Sequence, residues 1–208
     1  MLVGNHDQYL KNTTKINSIN IFQDIPNVTL VESSKELTIN KKRALLVPWL
    51  GDVSSYSKET FDILFGHFDI SSKFIMQTFA NANKNVIGEE AQKEVSSFVD
   101  IVTKDGIVFS GHIHTRKELV VSGRNLVFVG SPYQQTLADI NLKCGFYVLN
   151  EDCSYKFNEI ANVPKHVEIK MSEVLKAKES FDFSIVKDNI VHKVYDIEVD
   201  RETDAKIS

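Results

Sequence analysis

Cysteine is scarce in this chain, with only Cys144 and Cys153 among 208 residues. Two such sparse thiols exclude a disulfide framework, and their spacing does not match a zinc knuckle, so both are expected as buried, reduced thiols. Long apolar runs are missing as well. No stretch approaches the roughly 20 residues that span a bilayer, and Met1 is not followed by the basic and then apolar segments of a secretory leader. The chain therefore reads as soluble and cytoplasmic, with no membrane partner. Surplus positive charge is also absent: 24 Lys and Arg face 28 Asp and Glu, a net of −4. That balance gives no global attraction to nucleic acid, so any such contact has to come from a local patch or a bound metal. Internal repeats and low-complexity segments are lacking.

What is present suits one globular domain with a small appendage. Apolar residues make up 42% and charged residues 25%, an ordinary mixture that can bury a sizeable core. The charge is uneven. Residues 1–150 carry 15 acidic and 15 basic side chains, whereas residues 151–208 carry 13 and 9, so the whole net charge lies in the last quarter. With Pro164 nearby, this shift places a boundary near residue 160 and divides the chain into 1–160 and 161–208.

Strand signals dominate. Asn27–Val31 reads as a short strand, and Glu36–Leu50 as two strands joined at Asn40-Lys41-Lys42, the second apolar enough for the middle of a sheet. Phe61–Phe65 is a strand that ends in Gly66-His67, and Ile107–Ser110 is one that runs into Gly111-His112-Ile113-His114. Leu119–Val121 and Leu126–Val129 form a hairpin about residues 122–125, and Phe146–Leu149 and Tyr155–Phe157 form another. Val167–Lys170 is a strand in the acidic tail. Between them, Gly88–Thr103 has helical periodicity, with Ala91, Val95, Phe98, Val99 and Val102 on one side. The fold class is α/β with a layered sheet and functional residues at strand ends.

Four of the six histidines, His6, His67, His112 and His114, sit at strand-to-loop junctions near a glycine. Imidazole is the commonest neutral metal ligand. In an extended segment His112 and His114 would share one face and reach a common ion pair. Asn5 adds an amide oxygen, a hard donor suited to Mn(II) or Mg(II). Such mixed donors suit a two-metal hydrolase, in which an ion polarises a phosphoryl oxygen and lowers the pKa of the attacking water. The tetrapeptide Gly4-Asn5-His6-Asp7 would arise by chance in a chain this long about once in a thousand. Asp7 reads as an orienting residue or loop cap rather than a ligand. His166 and His192 lack this context and read as surface or packing residues.

Gly-Asn-His-Asp, then Gly-His, then Gly-His-x-His resembles the second half of the calcineurin-like metallophosphoesterase signature. Gly66-His67-Phe68-Asp69 and Phe128-Val129-Gly130-Ser131-Pro132-Tyr133-Gln134-Gln135 resemble the SbcD-type DNA repair nuclease branch, and the compact layout is most similar to recombination endonuclease subunits of tailed phages. The resemblance implies a layered β-sandwich metallophosphoesterase fold with the start of a small α+β capping domain after Pro164. It implies that Asn5, His67 and His112 bind a second metal and His114 a first, the metal being Mn(II) with Mg(II) as the alternative. His6 would face the scissile phosphate and stabilise the developing charge or protonate the leaving oxygen. The implied activity is 3′-to-5′ exonuclease on duplex DNA and endonuclease on single strands. The implied setting is the cytoplasm of a bacterial or phage-infected cell, in a homodimer joined to an SbcC-type ATPase with a coiled-coil arm. No DNA-contacting residue is assigned.

The family pattern opens with Asp-x-His and then a Gly-Asp whose aspartate bridges the metals. Asp-x-His does not occur in this sequence, and its one Gly-Asp, Gly51-Asp52, follows rather than precedes the Asn5 motif. The expectation is therefore the C-terminal portion of a nuclease, lacking the first strand and helix, with an open sheet edge and exposed apolar surface. Such a chain alone would be inactive or very weakly active. The alternatives are a phosphatase or cyclic-nucleotide phosphodiesterase of the same superfamily, and a non-catalytic remnant that binds the ATPase or DNA.

Overall fold

The computed structural model describes residues 1–79 and 87–198. It divides into two compact units, Met1–Gly130 with Tyr147–Lys156, and Ser131–Phe146 with Phe157–Ser208. The second unit thus takes in residues 131–146, which precede the boundary expected near 160, and residues 199–208 lie outside the described part.

The first unit is built on a six-stranded sheet. Its strands are β1 (Lys35–Ile39), β2 (Lys42–Val47), β3 (Phe61–Gly66), β4 (Val102–Ser110), β5 (Lys117–Val121) and β6 (Arg124–Phe128), in the order β1-β2-β3-β4-β6-β5. The four inner strands run parallel and the two edge strands antiparallel. The inner strands are apolar chiefly in their carboxyl-terminal parts, Ala44–Val47, Ile63–Phe65, Ile107–Phe109 and Leu126–Phe128, as burial on both faces demands. Two-residue turns close the edge hairpins: Asn40 and Lys41 both take positive φ, as do Ser122 and Gly123, which matches the twist of the flanking strands.

Helices α1 (Ser72–Phe79) and α2 (Glu89–Val99) cover one face. Ala91, Val95, Phe98 and Val99 of α2 are buried there with Leu64, Val108, Leu126 and Phe128 of the sheet. Val102, expected on the helix, belongs instead to β4: α2 ends at Val99, and Val102 reaches the same core by pairing with Phe61. The other face buries Ala44, Ile63, Ile107, Phe109 and Val127 beneath Tyr147, Leu149 and Tyr155. Those three residues lie on β7 (Gly145–Leu149) and β8 (Tyr155–Glu159), a separate two-stranded sheet. The layers are therefore helix, sheet and hairpin, and the described chain is mixed α/β.

Asn27–Val31, expected as a strand, makes only one bridge, Leu2 to Val31. Asn27 turns the backbone with φ 66°, and Val31 exchanges backbone hydrogen bonds with Met1 and Val3. Cys144 is buried and Cys153 half-buried, and both thiols are free.

The second unit holds a parallel pair, β9 (His166–Lys170) with β10 (Ile190–Val194), and helix α3 (Met171–Ala177). His166 and His192 stack with ring centroids 5.0 Å apart, and His166 Nδ1 lies 2.8 Å from His192 Nε2. Among the described residues, no helix is long and apolar enough to cross a membrane.

Candidate metal centre

In an open α/β sheet, side chains that follow the carboxyl ends of parallel strands converge on one rim. Three inner strands end this way here: β2 runs into Trp49, β3 into His67 and β4 into His112. A line of backbone hydrogen bonds continues the sheet past the strand ends. Trp49 N–H donates to the Val3 carbonyl at 2.8 Å, His67 N–H to Val47 at 3.1 Å, Gly111 N–H to Gly66 at 2.9 Å and Val129 N–H to Ser110 at 3.0 Å. The first of these fixes the segment that leads into Gly4-Asn5-His6-Asp7. Asp7 closes that loop: its carboxylate accepts from the Gly4 N–H at 2.8 Å, and its own N–H donates to the Gly4 carbonyl at 3.2 Å.

These constraints bring Asn5, His67 and His112 into contact. Asn5 Oδ1 lies 2.8 Å from His67 Nε2 and 3.3 Å from His112 Nδ1, and the two imidazole centroids are 5.4 Å apart. His6 is exposed, and His114 half-buried. Charge on His6 opposes protonation of both His67 and His112, and charge on His114 opposes that of His112. No grouping of three or more His, Cys, Asp or Glu side chains poised for a metal occurs among the described residues; the oxygen of the trio comes from an amide.

The segment that carries His112 and His114 is not the extended one that their spacing suggested. β4 ends at Ser110, and His112 takes φ 75°, which turns the chain at that point. Glycine tolerates this region best, and asparagine, aspartate and histidine are the other residues enriched in it.

The glycines have a steric task. A Cβ at Gly4 would stand 2.9 Å from His67 Cε1, and one at Gly111 would stand 2.8 Å from His67 Nδ1. Both motifs thus carry glycine because the ring of a third element fills the space. A Cβ at Gly66 would lie 2.1 Å from the Phe68 ring, which folds back to stack on Phe98 at 3.9 Å between centroids.

Burial holds His67 down to about 4, aided by repulsion from His112 and His6 and opposed by Asp7. His112 is lowered as well, chiefly by burial, with Asp69 working against it. Both rings are therefore neutral near pH 7, the form that offers a lone pair to an ion.

Two residues at this rim were not marked by sequence reasoning. Trp49 touches both rings, with centroids 5.1 Å from His112 and 5.9 Å from His67. Asp69 Oδ1 lies 3.9 Å from His112 Nε2. Trp49 is the only tryptophan in the chain, and Asp69 ends the Gly66-His67-Phe68-Asp69 segment, which were the available signals. The Asp52 carboxylate is occupied elsewhere, accepting the Ser54 N–H and hydroxyl at 2.8 Å each.

An ion with ligands at about 2.1 Å in octahedral geometry needs adjacent donors about 3.0 Å apart. The spacings of 2.8 and 3.3 Å about Asn5 Oδ1 lie near that value and are equally those of hydrogen bonds from the two ring nitrogens. Two imidazoles and one amide form a neutral donor set with no carboxylate in it. No protein-family model matches this sequence, and no curated protein matches it.

Proposed function

We propose that this chain supplies one metal-binding half of a phosphodiesterase centre and acts on DNA in a metal-dependent nuclease of the SbcD type. The observation that carries the reading is the convergence of Asn5 Oδ1, His67 Nε2 and His112 Nδ1 at ligand spacing, at the carboxyl ends of adjacent parallel strands. Asn5, His67 and His112 would hold one divalent ion, Mn(II) by donor chemistry, and His114 would contribute to a second. Bound there, such ions polarise a phosphoryl oxygen and acidify a water.

The chain's own residues have separable tasks in this reading. Asn5 and the two half-buried imidazoles bind. Asp7 and the glycines keep them in place. His6, exposed beside them, is free to meet a phosphate and to stabilise charge or pass a proton to the leaving oxygen. The preference for DNA, and for an SbcC-type ATPase and a second copy as partners, rests on the motif resemblance alone.

A neutral ligand trio with no carboxylate in it favours one second reading, a non-catalytic component that binds metal or DNA without hydrolysis. With His114 as the one residue assigned to a second ion, slow cleavage or none is expected of this chain by itself. The test is Mn(II) titration of the folded protein, followed by digestion of linear duplex DNA, single-stranded DNA and bis(p-nitrophenyl) phosphate. Mn(II) binding with preferential cleavage of polymer supports the nuclease. Cleavage of the small ester alone turns the reading to a general phosphodiesterase. Binding with no cleavage under any metal supports the non-catalytic component, and absence of binding overturns the metal centre.

A further inference from the structure

We infer that Trp49 is a positioning residue for the candidate metal centre, and that its ring acts on His112 rather than on His67. The inference rests on the reading of Asn5, His67 and His112 as ligands.

The two imidazoles are held by different means. His67 is gripped by main chain: its N–H bonds to Val47, and Gly4 and Gly111 abut its ring with no room for a Cβ. His112 has no such cradle. It stands beyond the last residue of β4 with φ 75°, in the left-handed region, where the strand's pairing no longer holds it. Four side chains lie against its ring: Asn5 at 3.3 Å, Asp69 at 3.9 Å, the His67 ring at 5.4 Å between centroids, and the Trp49 indole at 5.1 Å between centroids and 38° between planes. Asp69 is 80% exposed and long-range, so it restrains weakly. The indole, tilted 38° to the imidazole, is the largest of the side chains in contact with the His112 ring.

Trp49 is itself fixed. It follows Val47 and Pro48 in a tight turn closed by the Gly51 N–H to the Pro48 carbonyl at 2.8 Å, and its own N–H is bonded to Val3. A Cβ at Gly51 would lie 2.8 Å from both the Pro48 oxygen and Val47 Cγ1, so the turn has no slack. The same turn therefore joins the segment leading to Asn5 with the ring that orients His112. Groups that hold a ligand without touching the metal are worth about 10- to 100-fold in affinity.

The experiment compares the wild-type chain with Trp49→Phe, Trp49→Leu and Trp49→Ala. Free Mn(II) is followed by electron paramagnetic resonance, and the imidazole nitrogens on bound Mn(II) are counted by electron spin-echo envelope modulation. The expected result is a loss of about 10- to 100-fold in affinity for Trp49→Leu and Trp49→Ala, with one coordinated imidazole fewer, and near-complete rescue by Trp49→Phe. Leucine keeps apolar bulk without a flat ring, so it separates orientation from packing even if the alanine variant does not fold. Wild-type affinity and nitrogen count in a folded Trp49→Leu protein would overturn the role of Trp49. Absence of imidazole-bound Mn(II) in the wild type would overturn the ligand reading itself, which is a distinguishable result.

Discussion

Gly111 abuts the imidazole of His67: a Cβ on residue 111 would stand 2.8 Å from Nδ1, closer than real side chains approach. Gly111→Ala, and likewise Gly4→Ala, are expected to push the ring off its position and to cost about 1–3 kcal/mol through overpacking. Gly88 is the internal control. It has extended backbone at the start of α2, and no atom lies within 4 Å of where its Cβ would stand. Urea unfolding with Mn(II) titration checks this: the first two variants should lose both stability and metal, and Gly88→Ala neither. Equal behaviour of all three would refute the steric account.

Trp49 is the sole tryptophan, and its ring centroid lies 5.9 Å from that of His67 and 5.1 Å from that of His112. Paramagnetic Mn(II) bound by those histidines should quench its emission saturably, whereas diamagnetic Mg(II) should not. In His67→Gln the quenching should disappear. Linear, unsaturating quenching that survives the substitution would mean that the ion meets Trp49 only by collision.

His6 and His112 are assigned different tasks and should fail differently. His112→Ala removes a ligand, so Mn(II) binding should weaken about tenfold or more. His6→Ala should leave Mn(II) binding unchanged while DNA cleavage, in whatever assembly supports it, falls by about 100-fold or more. Isothermal titration beside a gel assay separates the two, and loss of metal in His6→Ala would place that residue among the ligands.

Acid should destabilise the metal-free protein through His67, whose pKa is pushed from 6.5 down to about 4 by burial. Above pH 6.5 neither folded nor unfolded chain holds the proton, and the ring makes no difference. Between about 6.5 and 4 the unfolded chain takes up a proton that the folded chain refuses, so stability falls as pH falls, by about 3 kcal/mol in full. His112, also lowered, adds in the same direction. Urea midpoints of wild type and His67→Gln should therefore diverge on acidification, the wild type losing more. Parallel curves would show that the ring is not desolvated.

Much of the local structure is legible in the sequence. The β1–β2 and β5–β6 hairpins follow from turn residues between apolar runs, and α2 from its helical spacing. Local signals misplace what tertiary pairing governs. Val102 keeps helical phase with α2 yet pairs with Phe61, and Asn27–Val31 has strand composition but forms a single bridge, Leu2 to Val31, among the described residues. β10 and α3 went unmarked because Ile190–Val194 gains its partner, β9, only in space.

The sequence by itself determined which residues could bear the chemistry: Asn5, His6, His67, His112 and His114 each stand near the end of an apolar run, where a strand must give way to a loop. It also required glycine near them without saying why. The tertiary structure decided which of these meet. Parallel pairing of β2, β3 and β4 sets their carboxyl ends side by side, and together with the Trp49–Val3 hydrogen bond this brings Asn5 to His67 across 62 positions and to His112 across 107. It also decided that Trp49 walls the site, that Asp52 is tied to Ser54, and that the two glycines make room for a ring from another element. Contacts between residues so distant in sequence depend on strand order and packing, which no local pattern encodes.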